Sequence, residues 1–256
     1  MRLDQFLTEN GYTDSRERAK RMILAGRVRV NGKTVQKPAF DVQGEPAIEL
    51  EQDSFVGRGG EKLQGALDAF AVDPTGMRAL DIGASTGGFT HCLLLRGAAA
   101  VTALDAGCGQ LHPSLLADAR VTNVEKYNAR SLSPEDVGVF DLAVMDVSFI
   151  SQTYILPRLP AVLTKGGLAI TLIKPQFEAG RAALNKKGLV KDPRDRLLAV
   201  RRVITAAREA GLVPKDLIRS PIAGGDGNIE YLALFALAGE DAVSDALMDK
   251  VVLEGR

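Results

Sequence analysis

The sequence predicts an α/β protein in which a mostly parallel, doubly wound sheet follows a small α+β module. Three observations carry this expectation. From about Phe55 onward, apolar runs of strand length alternate with segments of helical periodicity. One run, Ala79-Leu80-Asp81-Ile82, breaks into Gly83-Ala84-Ser85-Thr86-Gly87-Gly88 and restarts with Phe89, Cys92, Leu93 and Leu95, as a strand, tight turn and helix start would. Ahead of Phe55, two short helical patterns and an Asn31-Gly32 hairpin signal occur together with clustered charge.

The 256 residues suffice for one large domain and a small one, with 46% hydrophobic and 25% charged residues as in soluble globular proteins. The formal net charge is zero, so the distribution is more informative than the total. Gly11 to Phe40 holds eight Lys/Arg against Asp14 and Glu17, whereas Asp41 to Phe70 holds seven Asp/Glu against Arg58 and Lys62. A basic module on a neutral protein points to a polyanionic partner, with a solvated helix face as the plainer alternative. Cys92 and Cys108 form no disulfide framework or zinc spacing, and His91 and His112 are isolated. No apolar run approaches the ~20 residues of a membrane span. Met1-Arg2-Leu3-Asp4-Gln5 is unlike a signal peptide, so the cytoplasm is the expected location.

In the first module, Leu3, Phe6 and Leu7 predict a short helix closed by Asn10-Gly11. Ser15 is an N-cap candidate for a second helix, with Arg16, Arg18, Lys20 and Arg21 outward and Ala19, Met22, Ile23 and Leu24 inward. After Gly26, Arg27-Val28-Arg29-Val30 alternates as a strand, turns at Asn31-Gly32 and returns at Thr34-Val35. The boundaries read as 1–52 for this module, 53–56 for a linker and 57–256 for the second module.

This arrangement resembles the S4 RNA-binding domain, through Arg2-Leu3-Asp4, Ser15-Arg16, Ala19-Lys20 and Ile23 through Gly32. The resemblance implies one basic face toward structured RNA, built from Arg2, Arg16, Arg18, Lys20, Arg21, Arg27, Arg29 and Lys33. Such residues meet phosphates and shape, because the deep major groove of A-form RNA excludes side chains.

In the second module, strands are expected at 77–82, 101–105, 121–125, 140–146, 167–174, 212–220 and 229–237. Helices should fill the gaps, most clearly 195–210 with its Leu197-Leu198, Val200 and Val203-Ile204 stripe. The last strand arrives without a long crossover, which leaves an antiparallel return open.

Ligands in such sheets bind beyond the carboxyl ends of the strands. The turn Asp81, Gly83, Ala84, Ser85, Thr86, Gly87, Gly88, Phe89 is shorter than a dinucleotide fingerprint and suits S-adenosylmethionine, which has no pyrophosphate. Asp105, ending the next strand, is placed to accept from ribose hydroxyls. Asp146 and Lys174 end two further strands, Glu230 begins the last, and Lys62 precedes the first.

Lys62, Asp146, Lys174 and Glu230 resemble the Lys-Asp-Lys-Glu tetrad of FtsJ/RrmJ-type 2′-O-ribose methyltransferases. Together with the S4 match, the ordered motifs Arg58–Leu63, Gly83–Thr90, Asp146–Ile150 and Lys174–Glu178 are similar to the TlyA family, hemolysin A-like, over almost the whole chain. The resemblance implies a Rossmann-like domain that methylates cytidine 2′-hydroxyls of ribosomal RNA with S-adenosylmethionine, needing neither metal nor membrane. His91, Cys108, Tyr127 and the 53–56 stretch depart from the family pattern, while all four tetrad positions are intact.

Lys174 is the expected base, because a ribose hydroxyl must lose its proton as it attacks. A lysine can accept that proton only when neutral, which burial and a neighbouring cation such as Lys62 favour. Asp146 and Glu230 would orient the ammonium groups and the ribose, with Asp146 also facing the cofactor. Glu230 has a structural alternative, pairing with Arg219 or Lys215, and Asp81 one as a holder of the turn. The competing functions are a non-catalytic ribosome- or RNA-binding factor and, less favoured, a membrane-lytic hemolysin.

Overall fold

The computed structural model describes residues 1–13, 15–50, 55–225 and 227–255, without the side chains of Arg18 and Arg21. Two compact units emerge, Met1–Ser54 and Phe55–Arg256. The expected linker at 53–56 falls partly on residues 51–54, outside the described residues.

In the first unit, helices α1 (Leu3–Glu9) and α2 (Arg16–Leu24) precede strands β1 (Val28–Val30), β2 (Lys33–Thr34) and β3 (Ile48–Leu50). β1 is central and antiparallel to both others. Asn31 and Gly32 turn the hairpin with φ of 51° and 76°, as a two-residue turn requires. Asn31 Oδ1 also accepts the Ala47 N–H at 2.8 Å, tying the hairpin to the approach of β3. Leu3, Leu7, Ala19, Ile23 and Val28 form a fully buried core. Asp4 is buried with them, and Arg2 and Arg16 reach its carboxylate at 3.0 and 3.2 Å.

The second unit begins with α3 (Gly59–Ala69), β4 (Arg78–Ile82), α4 (Gly88–Leu95), β5 (Ala100–Leu104), α5 (Pro113–Leu116) and β6 (Val121–Val124). It continues with α6 (Pro134–Val137), β7 (Phe140–Met145), α7 (Leu159–Val162), β8 (Leu163–Ile173), α8 (Pro175–Glu178), α9 (Pro193–Glu209), β9 (Val213–Arg219) and β10 (Tyr231–Ala236). The seven strands lie in the order β6-β5-β4-β7-β8-β10-β9. β4 to β8 are parallel, and β10 is antiparallel to both β8 and β9. Asp192 caps α9 through the Arg194 N–H, Pro193 opens it, and Leu197, Val200, Val203 and Ile204 are its buried stripe, whereas Leu198, expected on that stripe, is exposed.

β10 is buried along its whole length and β4 from Ala79 onward, without alternation, because both faces of the sheet are covered. Leu80, Ile82, Ala143 and Phe235 pack into one layer with α9, while Ala79, Val144 and Leu232 pack into the other with α3 and α4. Full helices do not fill every gap. The crossovers after β5, β6 and β7 hold only single turns: α5, α6, α7 and the 3-10 turns Ala129–Ser131, Gln152–Tyr154 and Leu156–Arg158. Gly138, at φ 85°, stops α6 after one turn, and Pro157 and Pro160 remove backbone donors that a longer helix would need. Among the described residues no helix is long and apolar enough to cross a membrane.

Candidate active site

The carboxyl ends of β4, β5 and β7 open on a cavity of about 370 Å³. Gly83, Ser85, Asp105 and Asp146 line it, with Ile82, Leu104 and Ile155 as apolar wall. Gly83 has φ of +83°, and a side chain there would come within 2.6 Å of the Asp146 carbonyl oxygen, so only glycine lets the turn lie against the end of β7. Asp105 receives the Ser85 N–H at 2.8 Å on one oxygen and the Gly107 N–H at 2.7 Å on the other. One carboxylate thus joins the glycine turn to the following one.

Other predicted cofactor residues do different work. Asp81 is buried, not in the cavity lining, and its Oδ2 accepts both the N–H and the hydroxyl of Thr90, at 2.9 and 2.7 Å. Strand alternation explains this: with Leu80 and Ile82 facing one layer, Asp81 faces the other, where α4 starts. Its carboxyl is pushed up to about 7, chiefly by burial. Ala84, Thr86, Gly87, Gly88 and Phe89 likewise do not line the cavity. Phe89 is buried, Thr86 accepts the His112 N–H through its carbonyl, and Gly88 lies where α4 meets the start of α3. Gln110, Tyr127, Asn128, Phe149 and Ile150 are lining residues that sequence reasoning missed.

Lys62 on α3 and the strand-end residues Asp146, Lys174 and Glu230 form two ion pairs. Lys62 Nζ lies 2.6 Å from Glu230 Oε2, with both side chains nearly inaccessible at 9% and 2%. Lys174 Nζ lies 2.5 Å from Asp146 Oδ1 and donates to Ser148 Oγ at 2.9 Å. Register accounts for the convergence: Tyr231 on β10 faces Ile173 on β8, so Glu230 and Lys174 sit at the same sheet edge. Gln176 Nε2 donates to Glu230 Oε1 at 3.3 Å, reaching the first pair from the turn that carries the second. A side chain at Gly224 would lie 2.6 Å from Glu230 Oε1, so glycine leaves room for that carboxylate.

The structural alternative for Glu230 is not what is observed. Lys215 donates instead to the Glu240 carbonyl, and Lys62 holds Glu230. Lys62 was expected beside Lys174; the structure pairs each lysine with its own carboxylate. Glu230 also lines a second cavity of about 340 Å³, with Arg219, Ser220 and Ile222. Ser148 and Gln176 lie inside the motifs at 146–150 and 174–178, but only the folded geometry gives them a role.

Family comparisons agree with this geometry. Residues 55–237 match the FtsJ-like methyltransferase family and residues 1–46 the S4 domain. The chain is 43% identical to the 16S/23S rRNA (cytidine-2′-O)-methyltransferase TlyA of Mycobacterium tuberculosis, over 97% of each protein. This chain belongs to the TlyA family. Hemolysin A of Brachyspira hyodysenteriae is 42% identical over 93% of this chain and all of that one. A solved protein of Streptococcus thermophilus, described as a hemolysin, superposes with a TM-score of 0.78 at 38% identity, covering 99% of this chain and 94% of its own. The methyltransferase fold of the family implies S-adenosylmethionine as methyl donor. The cavity at the ends of β4, β5 and β7 fits that group: apolar walls suit an adenine, and the Asp105 and Asp146 carboxylates suit hydroxyls and an ammonium.

In the S4 unit, the predicted RNA contacts divide. Arg2 and Arg16 are turned onto buried Asp4, because an isolated buried carboxylate needs countercharge. Lys20 pairs with Glu17 at 2.8 Å, Arg29 lies 3.6 Å from Glu49, and Lys33 is exposed on β2. Arg27 and Arg29 line a cavity of about 410 Å³ beside Thr34.

Proposed function

We propose that this TlyA-family protein methylates the 2′-hydroxyl of cytidine in ribosomal RNA, with residues 1–52 docking on RNA and residues 57–256 performing the transfer. The observation that carries the reading is the pairing of Lys174 with Asp146, a residue that itself lines the cavity at the ends of β4, β5 and β7. Bound S-adenosylmethionine supplies an electrophilic methyl group on a sulfonium. Gly83, Ser85, Asp105 and Asp146 would hold it.

Lys174 takes the proton of the ribose hydroxyl. An ammonium cannot accept a proton, so Lys174 acts once it has released its own, with Asp146 and Ser148 holding Nζ in place. Lys62 and Glu230 orient the ribose, approached from the second cavity that Glu230 lines. Orientation of this kind is worth roughly 7–11 kcal/mol in well-positioned reactions. In a paired target the nucleotide has to be extruded first. Lys20, Arg27, Arg29 and Lys33 supply phosphate contacts on the S4 unit, and Arg18 and Arg21 extend the same basic helix. A ribosomal substrate makes the cytoplasm the site of action.

The test is transfer of tritium from labelled S-adenosylmethionine to purified small and large ribosomal subunits, with mapping of the modified nucleotide. Incorporation at a cytidine 2′-oxygen is the expected result. Absence of incorporation into either subunit, with cofactor binding intact, would favour a non-catalytic RNA-binding factor.

A further inference from the structure

Resting on that reading, we propose that Glu178 is a positioning residue: it fixes the loop carrying Asp146 and Ser148 against the strand end carrying Lys174. The two halves of the Lys174–Asp146 pair come from different strands, β8 and β7, and their loops have to hold a common register. Glu178 lies at the end of α8, one helical turn after Lys174, and is buried. Its Oε2 accepts the Ser151 hydroxyl at 2.5 Å, and its Oε1 accepts the Gln152 N–H at 2.9 Å. Ser151 and Gln152 end the loop that began at Asp146. Gln152 closes the brace by donating its side-chain amide to the Leu172 carbonyl on β8, at 3.3 Å. From behind, Arg202 of α9 donates to the Glu178 carbonyl at 3.2 Å.

The loop needs such a brace. Phe149, between Ser148 and Ser151, has φ of +63°, a backbone state that a non-glycine residue keeps only when its surroundings impose it. Burial also pushes the Glu178 carboxyl above the ordinary carboxylate range, partly offset by its bonds to Ser151 and Gln152. A group held at such a disadvantage is a poor choice for simple packing.

Glu178→Ala leaves the Gln152 N–H unpaired and the loop unbraced. Its kcat should fall about 10²-fold, the scale on which a small misplacement acts, while cofactor and RNA affinities stay within about twofold. Glu178→Gln should recover most of the rate, because a carboxamide can accept from Gln152 and donate to Ser151 Oγ. In a Ser148→Ala background, Glu178→Ala should cost far less, since both act through the placement of Lys174. The proposal is overturned by an unchanged kcat, by fully additive losses, or by a Gln variant as inactive as the Ala variant. If circular dichroism shows Glu178→Ala unfolded, Ser151→Ala carries the test, with kcat lowered about fivefold or more expected and an unchanged kcat overturning the proposal. A wild-type protein that transfers no methyl group would instead remove the reading on which this rests.

Discussion

The small unit and the large unit each bury an aspartate completely, and they treat it in opposite ways. In the S4 unit, Asp4 is met by two half-exposed arginines, and its carboxyl is held below the ordinary range, first by the hydrogen bond from Arg2 and, against burial, by Arg16. In the methyltransferase unit, Asp81 has only Thr90 for support, and its carboxyl is driven up to about 7. The large unit places two little-exposed lysines elsewhere, on Glu230 and Asp146 at the sheet edge. The paired charge around Asp4 therefore secures the fold of the small unit, whereas the least exposed ion pairs of the large unit lie where chemistry is proposed.

The sharpest way to break this contrast is Lys174→Ala. Removing a general base typically costs about 10²–10⁴-fold, so methyl transfer should drop at least ~10²-fold while RNA binding and the S4 unit are untouched. Single-turnover assays with saturating cofactor measure it. A variant with near-wild-type turnover would show that the sheet-edge charges serve the fold, as those of the small unit do.

Next in size is Glu230→Ala, read as stability. Lys62 would then be buried without its partner, and breaking such a pair costs about 3–5 kcal/mol. The corresponding change in the small unit, Asp4→Ala, leaves only half-exposed arginines behind and should cost about 1–3 kcal/mol. Denaturant titration of each variant measures the difference, and equal losses would dissolve it.

The two aspartates also predict opposite pH dependences. Asp4, lowered in the folded state, contributes stability present above its unfolded value near 3.8 and lost as pH falls through its folded value. Asp81, raised to about 7, contributes stability fully present below its unfolded value and lost as pH rises toward and through 7. Asp81→Asn should therefore stabilise the protein at pH 8 and not at pH 4. The gain is roughly 4 kcal/mol from the carboxyl, less about 1–3 kcal/mol for an amide left without a partner. Melting curves at the two pH values decide it. A gain independent of pH would mean that burial does not raise the Asp81 carboxyl above its unfolded value.

How much of this was legible beforehand depends on what a residue answers to. The seven strands follow from their own apolar content, and Asp146, Lys174 and Glu230 stand out as charges interrupting it at strand ends. Asp81 could have been placed by alternation with Leu80 and Ile82, yet the resemblance of the whole turn to a cofactor loop drew it toward the ligand. Which lysine pairs with which acid was not legible, because the choice depends on the register of β10 on β8 and on where α3 lies. Nor was Glu178, whose partners Ser151 and Gln152 are 27 and 26 residues away. The Arg2 and Arg16 pairing was hidden for a related reason: the sequence marks them as basic, and only the fold shows that Asp4 has been buried between them.

The smallest expected effect tests the outward-facing half of the comparison. Arg29 and Glu49 lie 3.6 Å apart across β1 and β3, each more than half exposed. Exposed pairs contribute little, so Arg29→Ala should change stability by less than about 0.5 kcal/mol. If Arg29 instead serves RNA, its loss removes one phosphate contact. Affinity should then fall modestly for every RNA sequence tested, and the slope of log affinity against log salt should become shallower by about one. Filter binding of ribosomal RNA fragments at several salt concentrations measures both quantities. A loss of stability without a change in slope would give Arg29 the role that Arg2 and Arg16 already fill, and the basic face of the S4 unit would shrink to Lys20, Arg27, Lys33 and the neighbouring helix positions.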